Sequence, residues 1–190
     1  MLAAYSAIYR GATRVYLVDR IASRLERGAS IGAIPIDFSV SDPVEQIMAN
    51  ETAGVRRSVD CVGYDAVDAN NTASPSIIVD NMVRVTGRGG GIGQIGVQTA
   101  GGNSTAAPNG GIYDGQLDFP VFSFWSKGLG YKGGVVNPRA LAPELLRILG
   151  QGDFDASFVL DGIIKLSDAP DWYRRFNNHE VIKGIIEFPW

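Results

Sequence analysis

The sequence predicts an α/β fold with a mostly parallel sheet. Short apolar runs bounded by turn residues alternate along the chain with segments of helical periodicity, and this order of elements is typical of parallel sheets. Hydrophobic residues make up 45% of the 190 residues, enough to bury a substantial core. In the run "VYLVD" at residues 15–19, the first four residues are an unbroken apolar stretch and the last is an acid, which predicts a strand buried on both faces of the sheet.

The first half of the chain predicts helices and strands in alternation. A helix at 2–10 is ended by Gly11 at a C-cap position, and the helix that begins with Pro43 is capped by Ser41 or Asp42. The other elements predicted here are a strand at 15–19, a helix at 21–28, a strand at 33–38, a buried strand within 58–66 and a helix at 76–85.

The second half is interrupted by a glycine-rich and polar stretch. Residues 89–97 predict a glycine-rich strand, and residues 98–116 form a polar stretch too long for an ordinary connection, which indicates a surface excursion. The elements predicted after it are a strand-like segment at 122–134, a helix at 137–150, a strand at 157–166, a helix at 168–176 and a last strand at 183–188.

Composition excludes several classes of protein. The net charge of −3 provides no basic field for nucleic acid or an acidic membrane, and no segment approaches the roughly 20 apolar residues that span a bilayer. Cys61 is the only cysteine, so no internal disulfide forms, which favours a reducing, cytoplasmic compartment. We expect Cys61 to be an inert core thiol, and His179, the only histidine, to have a surface or loop role.

The position of Asp19 indicates dinucleotide binding. In a dinucleotide-binding unit, an acid at the carboxyl end of a strand accepts hydrogen bonds from the adenosine ribose, about 20 residues after a glycine-rich turn. Only 18 residues precede Asp19, and they contain no glycine-rich turn. The alternative is that Asp19 is a solvated acid at the end of a strand.

The formal pattern G-x-G-x-x-G occurs at Gly91, Gly93 and Gly96, yet its context argues against a phosphate site. That motif requires a preceding strand and a helix that opens at its last glycine, whereas here a helix precedes it and a polar stretch follows. We interpret it as a glycine-rich strand whose bare backbone lets a flat group such as a nicotinamide ring approach closely.

The composition also limits catalytic chemistry. A zinc site takes three or four protein ligands from Cys, His or carboxylate, and with one Cys and one His we predict no zinc site in this chain. No tyrosine has a lysine four residues later, which excludes the catalytic pair of short-chain dehydrogenases. The sequence therefore predicts neither catalytic nor metal-ligating residues.

The order of several segments resembles the coenzyme half of zinc-type medium-chain alcohol dehydrogenases, in particular the glutathione-independent formaldehyde dehydrogenase branch. The segments that carry the resemblance are "AAYSAIYRGATRVYLVDRIASRLERG", "SVDCVGYDA", "SIIVDNMVRVTGRGGGIGQIGV", "FSFWSKGLGYKGG" and "IIKLSDAPDWYRRF". The resemblance implies an incomplete Rossmann-type doubly wound parallel sheet. In the family, the first strand, the glycine turn and the catalytic domain precede the helix with which this chain begins. It also implies a partial NAD-binding domain at 1–134 and a segment at 135–190 that packs on the catalytic domain.

The resemblance assigns roles to residues in three regions. At the adenosine end, Asp19 would bind the ribose, Arg24 would lie by the adenine and ribose, and Val62 would line the pocket. At the other end of the cofactor, Gly93, Gln94 and Ile95 would meet the nicotinamide, and Gly134, Val135 and Val136 would close on the cofactor after the last sheet strand. One departure is Val67-Asp68-Ala69, which stands where the branch has an Arg-Gly-His run.

The family reaction is hydride transfer from an alcohol or hydrated aldehyde to NAD, assisted by zinc. Three hypotheses stay open for this chain: a truncated product that is inactive alone, an enzyme completed by a separate catalytic half or by upstream sequence, and a non-catalytic interaction module. The expected partners are the small-molecule cofactor and either a second copy or the catalytic half. Neither nucleic acid nor a membrane is expected.

Overall fold

A computed structural model describes residues 1–98, 102–105, 111 and 115–189. In the first half the elements are α1 (Leu2–Tyr9), β1 (Tyr16–Asp19), α2 (Ala22–Ser30), β2 (Ile34–Asp37), α3 (Pro43–Met48), β3 (Val55–Asp60), α4 (Ile77–Val85) and β4 (Thr86–Gln94). They continue with α5 (Val121–Lys127), β5 (Gly130–Gly133), α6 (Pro138–Gly150), β6 (Gly162–Lys165), α7 (Ala169–Asn177) and β7 (Gly184–Glu187). Short 3-10 turns lie at Ala156–Val159 and Leu166–Asp168.

Within the described residues the strands form three parallel sheets, with orders β1-β2, β3-β4-β5 and β6-β7. The mixed α/β class with parallel pairing is therefore confirmed. In the first sheet the register pairs Asp19 with Asp37, so two acids end neighbouring strands at one edge.

The chain divides into two compact units. Unit 1 comprises residues 1–37 together with residues 139–190, and unit 2 comprises residues 38–138. Unit 1 therefore joins the two ends of the sequence. The domain boundary predicted between residues 134 and 135 stays a prediction.

Unit 1 is held together by contacts between its two chain segments. The ring of Tyr5 on α1 stacks on Phe154 at 4.2 Å between centroids. The Arg27 guanidinium on α2 donates to Asp161 Oδ1 at 2.7 Å, and both side chains are largely shielded, at 26% and 16% exposure. Asp161 Oδ2 also accepts the backbone N–H groups of Ile182 and Lys183, at 2.5 and 3.0 Å. This carboxylate therefore links α2 to the chain before β6 and before β7.

Unit 2 has its core between α4 and one face of its sheet. The buried cluster consists of Val79, Met82, Val83, Ile92 and Leu129. Helix α4 presents these apolar residues at helical spacing, and Ile92 on β4 faces them. The opposite sheet face carries Gly91, Gly93 and the half-exposed Val59.

Several elements have the predicted type. Where their caps or bounds differ from the prediction, the cause is local. Asp42 rather than Ser41 caps α3, with its Oδ1 accepting the N–H groups of Val44 and Glu45 at 2.7 and 3.3 Å. The strand predicted at 58–66 begins earlier, at Val55, and ends at Asp60. The segment predicted as strand-like at 122–134 divides into α5 and β5, because Gly128 adopts a left-handed conformation that ends the helix.

Three predictions of burial are wrong. The strand predicted as buried within 58–66 corresponds to β3, in which Arg56, Arg57 and Val59 are exposed. Strand β1 is not buried on both faces, since Val18 is 41% exposed and the described sheet gives β1 a neighbour on one side, β2. Cys61 is exposed rather than a core thiol, because the strand ends one residue before it.

The surface excursion predicted at 98–116 lies mostly outside the described residues. In the part of the chain that the structure describes, no helix combines the length and apolar character needed to cross a bilayer.

Candidate functional site

Asp19 lies at the carboxyl end of β1 with its two carboxylate oxygens in different environments. Oδ1 accepts the backbone N–H groups of Arg20 and Ile21, at 2.8 and 3.0 Å, which turns the chain into α2. Oδ2 lies 3.7 Å from Arg24 Nη1, beyond hydrogen-bond distance. The side chain is 24% exposed, so Oδ2 can accept a hydrogen bond from a ligand hydroxyl.

Arg24 contacts a residue far along the sequence. Its Nη2 lies 3.2 Å from His179 Nδ1, across 155 residues. A guanidinium carries only donors, so Nδ1 is the acceptor and the imidazole is neutral with its proton on Nε2. Arg24 thus lies between a carboxylate and a neutral histidine, all within unit 1.

The surroundings of His179 favour this neutral form. Burial lowers the pKa of His179, and the positive charges of Arg24 and Arg20 lower it further, while Asp19 acts in the opposite direction. The residue follows α7 with a backbone φ of 61°, a left-handed conformation in which histidine, Asn and Asp are enriched among non-glycine residues. Its N–H donates to the Phe176 carbonyl at 3.0 Å, which closes the turn.

In unit 2, Asp60 occupies the corresponding position at the end of β3 and is 1% exposed. Its Oδ1 accepts the N–H groups of Val62 and Gly63, at 2.7 and 3.0 Å. Its Oδ2 accepts the amide Nε2 of Gln94 at 2.9 Å, and Gln94 Oε1 in turn accepts the hydroxyl of Tyr131. One chain of side-chain hydrogen bonds therefore connects three adjacent strands, from the carboxyl ends of β3 and β4 to Tyr131, the second residue of β5.

The backbone after β3 and β4 is packed too closely for side chains at two positions. A Cβ on Gly96 would lie 2.3 Å from the Gly63 nitrogen, and one on Gly63, whose φ is +82°, would lie 2.2 Å from the Val97 carbonyl oxygen. The N–H groups of Ile95 and Gly96 donate to the Asp60 carbonyl, at 3.0 and 3.1 Å. These contacts fix the two turns against each other.

The residues of unit 2 to which the resemblance assigned roles lie on these two turns and on β4. Val62 and Ile95 are 52% and 58% exposed on the two turns, and Gly93 lines a shallow depression on the open sheet face. The Gln94 side chain points inward to Asp60 and Tyr131. The predicted glycine-rich strand is confirmed as far as residue 94, the end of β4. The chain then continues into a non-helical turn at residues 95–98, so no helix opens at Gly96.

Gly134, Val135 and Val136 follow β5 and are exposed, Val135 fully and Val136 at 56%. The Gly134 N–H approaches the Gln94 carbonyl at 3.3 Å, which connects this segment to the end of β4. The structure thus brings Val62, 93–95 and 134 together in unit 2, and Asp19 and Arg24 together in unit 1.

Sequence reasoning missed three participants: Asp60, Tyr131 and His179. Asp60 had a signal, because it is an acid at the end of a predicted strand as Asp19 is. His179 and Tyr131 had no such signal in the sequence, since their partners are distant in sequence.

Among the residues that the structure describes, no three His, Cys, Asp or Glu side chains lie where they could hold a metal ion together.

Comparison with known proteins relates this arrangement to dehydrogenases. No protein-family model matches the chain. The glutathione-independent formaldehyde dehydrogenase of Bacillus subtilis (strain 168) is 25% identical over 98% of this chain and 46% of its own length. The chain therefore spans about half the length of this curated relative.

Solved structures agree on the fold. The alcohol dehydrogenase TADH from Thermus sp. ATN1 superposes with a TM-score of 0.81 at 24% identity, over 99% of this chain and 48% of its own. A putative zinc-binding dehydrogenase from Sinorhizobium meliloti 1021, bound to NADP, gives a TM-score of 0.70 at 23% identity, over 90% and 44% of the two chains. A probable zinc-binding alcohol dehydrogenase of Mycobacterium tuberculosis (strain ATCC 25618 / H37Rv) is 38% identical over 37% of this chain and 18% of its own length. The proteins similar to this chain thus include alcohol dehydrogenases, zinc-binding ones among them, and a formaldehyde dehydrogenase. The resemblance stated from the sequence is confirmed, and so is the Rossmann-like class of fold.

Proposed function

We propose that this chain is the coenzyme-binding half of a zinc-type medium-chain alcohol dehydrogenase and that it binds NAD. Because the chain spans about half of its relatives, the reaction is part of the proposal: hydride transfer from an alcohol or a hydrated, formaldehyde-type aldehyde to NAD. The observation that carries the proposal is Asp19, a carboxylate at the carboxyl end of a parallel strand with one oxygen available to a ligand.

The two oxygens of Asp19 support this role in different ways. Oδ1 is used by two backbone N–H groups, which hold the carboxylate in place without a ligand. Oδ2 keeps acceptor capacity for a ribose hydroxyl, as expected for a group that recognises NAD. A carboxylate repels a 2′-phosphate, so we propose that NAD is preferred over NADP.

The remaining cofactor contacts follow the family pattern. In this proposal Arg24 lies by the adenine and ribose, and Val62 lines the adenosine pocket. Residues 93–95 face the nicotinamide, supported by the hydrogen bonds of Gln94 that hold the end of β4 in place. Residues 134–136 close on the cofactor. We further propose that residues 1–134 form the partial NAD-binding domain and that residues 135–190 pack on a catalytic domain.

Zinc does not fit the residues of this chain. A catalytic zinc needs about three protein ligands from Cys, His or carboxylate; the chain has one Cys and one His, and no three such side chains of the described residues lie where they could hold a metal ion together. We therefore propose no catalytic residue here and assign zinc ligands and proton transfer to a catalytic domain. The same observation favours a second candidate, a non-catalytic module that acts through a second copy or another partner.

Backbone amide shifts on addition of NAD test the binding proposal. We expect saturating changes at residues 19–21 and 93–95 with a Kd near millimolar, which corresponds to about −4 kcal/mol. The affinity is weak because the proposal provides no glycine turn and helix N-terminus for the pyrophosphate. Shifts confined to other residues, or none at about 10 mM NAD, would contradict the proposal.

Metal content and turnover test whether the chemistry lies outside this chain, which both candidates require. We expect the purified chain to contain no stoichiometric zinc and to form no NADH from formaldehyde or short primary alcohols, because activation of the hydroxyl depends on the metal. Stoichiometric zinc with NADH formation would show that this chain holds the chemistry itself.

A further inference from the structure

We propose that His179 determines whether the coenzyme site accepts an adenosine ribose with a 2′-hydroxyl or one with a 2′-phosphate. The neutral ring holds Arg24 beside Asp19, and protonation of the ring admits a 2′-phosphorylated coenzyme. This inference rests on the proposed function, because it assumes that Asp19 faces the ribose. It adds a residue from the far end of the chain and a dependence on pH.

The contacts of Arg24 place His179 in this role. The Arg24 side chain is 26% exposed and directs Nη2 to His179 Nδ1 at 3.2 Å, while Nη1 lies 3.7 Å from Asp19 Oδ2. Because one planar group reaches both partners, its orientation at Asp19 depends on whether Nδ1 is available as an acceptor. A protonated Nδ1 cannot accept and would place two cations at hydrogen-bond distance.

The charges around His179 give the direction of the effect. The pKa of His179 is lowered by burial and by the charges of Arg24 on α2 and of Arg20 after β1, and it is raised by Asp19. On the segment of His179 itself, Glu180 pairs with Arg175 at 3.6 Å. With neutral His179, the ribose-facing cluster of Asp19, Arg20 and Arg24 has one negative and two positive charges. Protonation adds a third positive charge and frees Arg24, and both changes favour a dianionic 2′-phosphate.

The turn that carries His179 fixes its backbone. Its φ of 61° lies in the left-handed region, in which histidine is enriched together with Asn and Asp, and the hydrogen bonds that close the end of α7 hold both sides of the residue: its own N–H donates to the Phe176 carbonyl, and the Glu180 N–H donates to the Arg175 carbonyl, at 3.0 and 2.9 Å. The ring itself is oriented by its hydrogen bond with Arg24.

The experiment uses the fact that His179 is the only histidine of the chain, so one imidazole Cε1–H resonance reports its protonation. In the full chain we expect this resonance to titrate below the ordinary value of about 6.5. Arg24→Met should move the midpoint upward, because it removes both the hydrogen bond and a positive charge. An unchanged midpoint in this variant would refute the contact and the proposal.

Two nucleotides then test specificity. Adenosine 2′,5′-bisphosphate should raise the His179 midpoint by about one unit, equivalent to about tenfold tighter binding to the protonated form. Adenosine 5′-monophosphate, which carries the 2′-hydroxyl, should leave it within a few tenths of a unit. Equal shifts with both nucleotides would refute the specificity role.

His179→Asn is the matched control variant. Asparagine tolerates the left-handed conformation, and its amide oxygen can still accept from Arg24, but it does not titrate. The quantity compared is the affinity for the bisphosphate divided by the affinity for the monophosphate. In the His179→Asn variant this ratio changes with pH only through ionisation of the 2′-phosphate itself, near pH 6. From pH 8 to pH 5.5 the ratio in the wild type should rise about tenfold more than the ratio in the variant. Identical pH dependence in both proteins would overturn the inference. If neither nucleotide binds the wild type, the proposed function fails, and this inference fails with it.

Discussion

Replacing Asp60 with alanine should open the carboxyl end of the unit 2 sheet. Asp60 accepts three hydrogen bonds at 2.7 to 3.0 Å and is 1% exposed. Alanine leaves two buried donors without an acceptor, the Gly63 N–H and Gln94 Nε2, whereas the partly exposed Val62 N–H can reach water. At about 1–3 kcal/mol for each unsatisfied buried donor, the loss is about 2–6 kcal/mol.

Asp60→Asn is the matched control. The asparagine Oδ1 keeps the two backbone donors, and Gln94 can rotate to present Oε1 to the new amide while its Nε2 donates to the Tyr131 hydroxyl. This rearrangement keeps the buried donors paired, and the hydroxyl proton of Tyr131, a residue that is 38% exposed, can reach water. The asparagine variant should therefore lose at least about 1 kcal/mol less than the alanine variant.

Native-state hydrogen exchange at Ile95 and Gly96 measures the effect locally, since both amides donate to the Asp60 carbonyl. A loss of about 2–6 kcal/mol corresponds to protection factors reduced by roughly 30-fold to 10⁴-fold, limited by the stability of the unit. Protection in Asp60→Ala within about 0.5 kcal/mol of wild type would refute the reasoning.

Two further perturbations test the packing of each unit. Asp161→Asn should cost unit 1 about 1.5–3 kcal/mol near pH 7. Burial alone would raise the pKa of Asp161, but the hydrogen bond from Arg27 and those from the backbone N–H groups of residues 182 and 183 lower it overall. The stability from this carboxylate is therefore present above the unfolded pKa of about 3.9 and is lost as pH falls through the folded pKa. Chemical denaturation from pH 7 to pH 3 should show a shallower decline in the variant, and parallel curves would contradict this. In unit 2, Lys127→Met should cost about 1–3 kcal/mol, because the ammonium donates to the carbonyls of Val83, Arg84 and Thr86 at 2.8 to 3.1 Å and satisfies the carboxyl end of α4. Lys127→Arg, which keeps donors at this position, is its control in the same denaturation assay, and equal stability of the Met variant and the wild type would contradict this role.

Local patterns predicted most elements of the fold because those elements depend on neighbouring residues. Pro43 after an acid indicated the start of α3, and the apolar run before Asp19 indicated β1. Burial was predicted less well, because exposure of Val18 and Cys61 depends on which strands lie beside them and on where Asp60 ends β3. A carboxylate that accepts the following N–H groups stops a strand, and residue type alone does not show that it will.

The candidate site was predicted only where its residues have a local signature in the sequence. Asp19 and the glycines of β4 have local signatures, namely a strand-end acid and a strand without side chains. The partnership of Arg24 with His179 joins residues 155 positions apart, and the Asp60–Gln94–Tyr131 chain joins three strands. Such pairs depend on tertiary packing and leave no periodic pattern in the sequence.

The affinity for NAD of the wild type, Asp19→Asn and Asp42→Asn tests the central claim most directly. Asp42 is a matched control, because its Oδ1 also accepts two backbone N–H groups, from Val44 and Glu45 at 2.7 and 3.3 Å, and its Oδ2 also lies beside an arginine, Arg84. A charge-assisted hydrogen bond to the ribose predicts that Asp19→Asn weakens NAD binding about ten- to a hundredfold, while Asp42→Asn leaves it unchanged. Equal affinity of the wild type and Asp19→Asn, with both proteins folded, would contradict the claim that Asp19 binds the coenzyme.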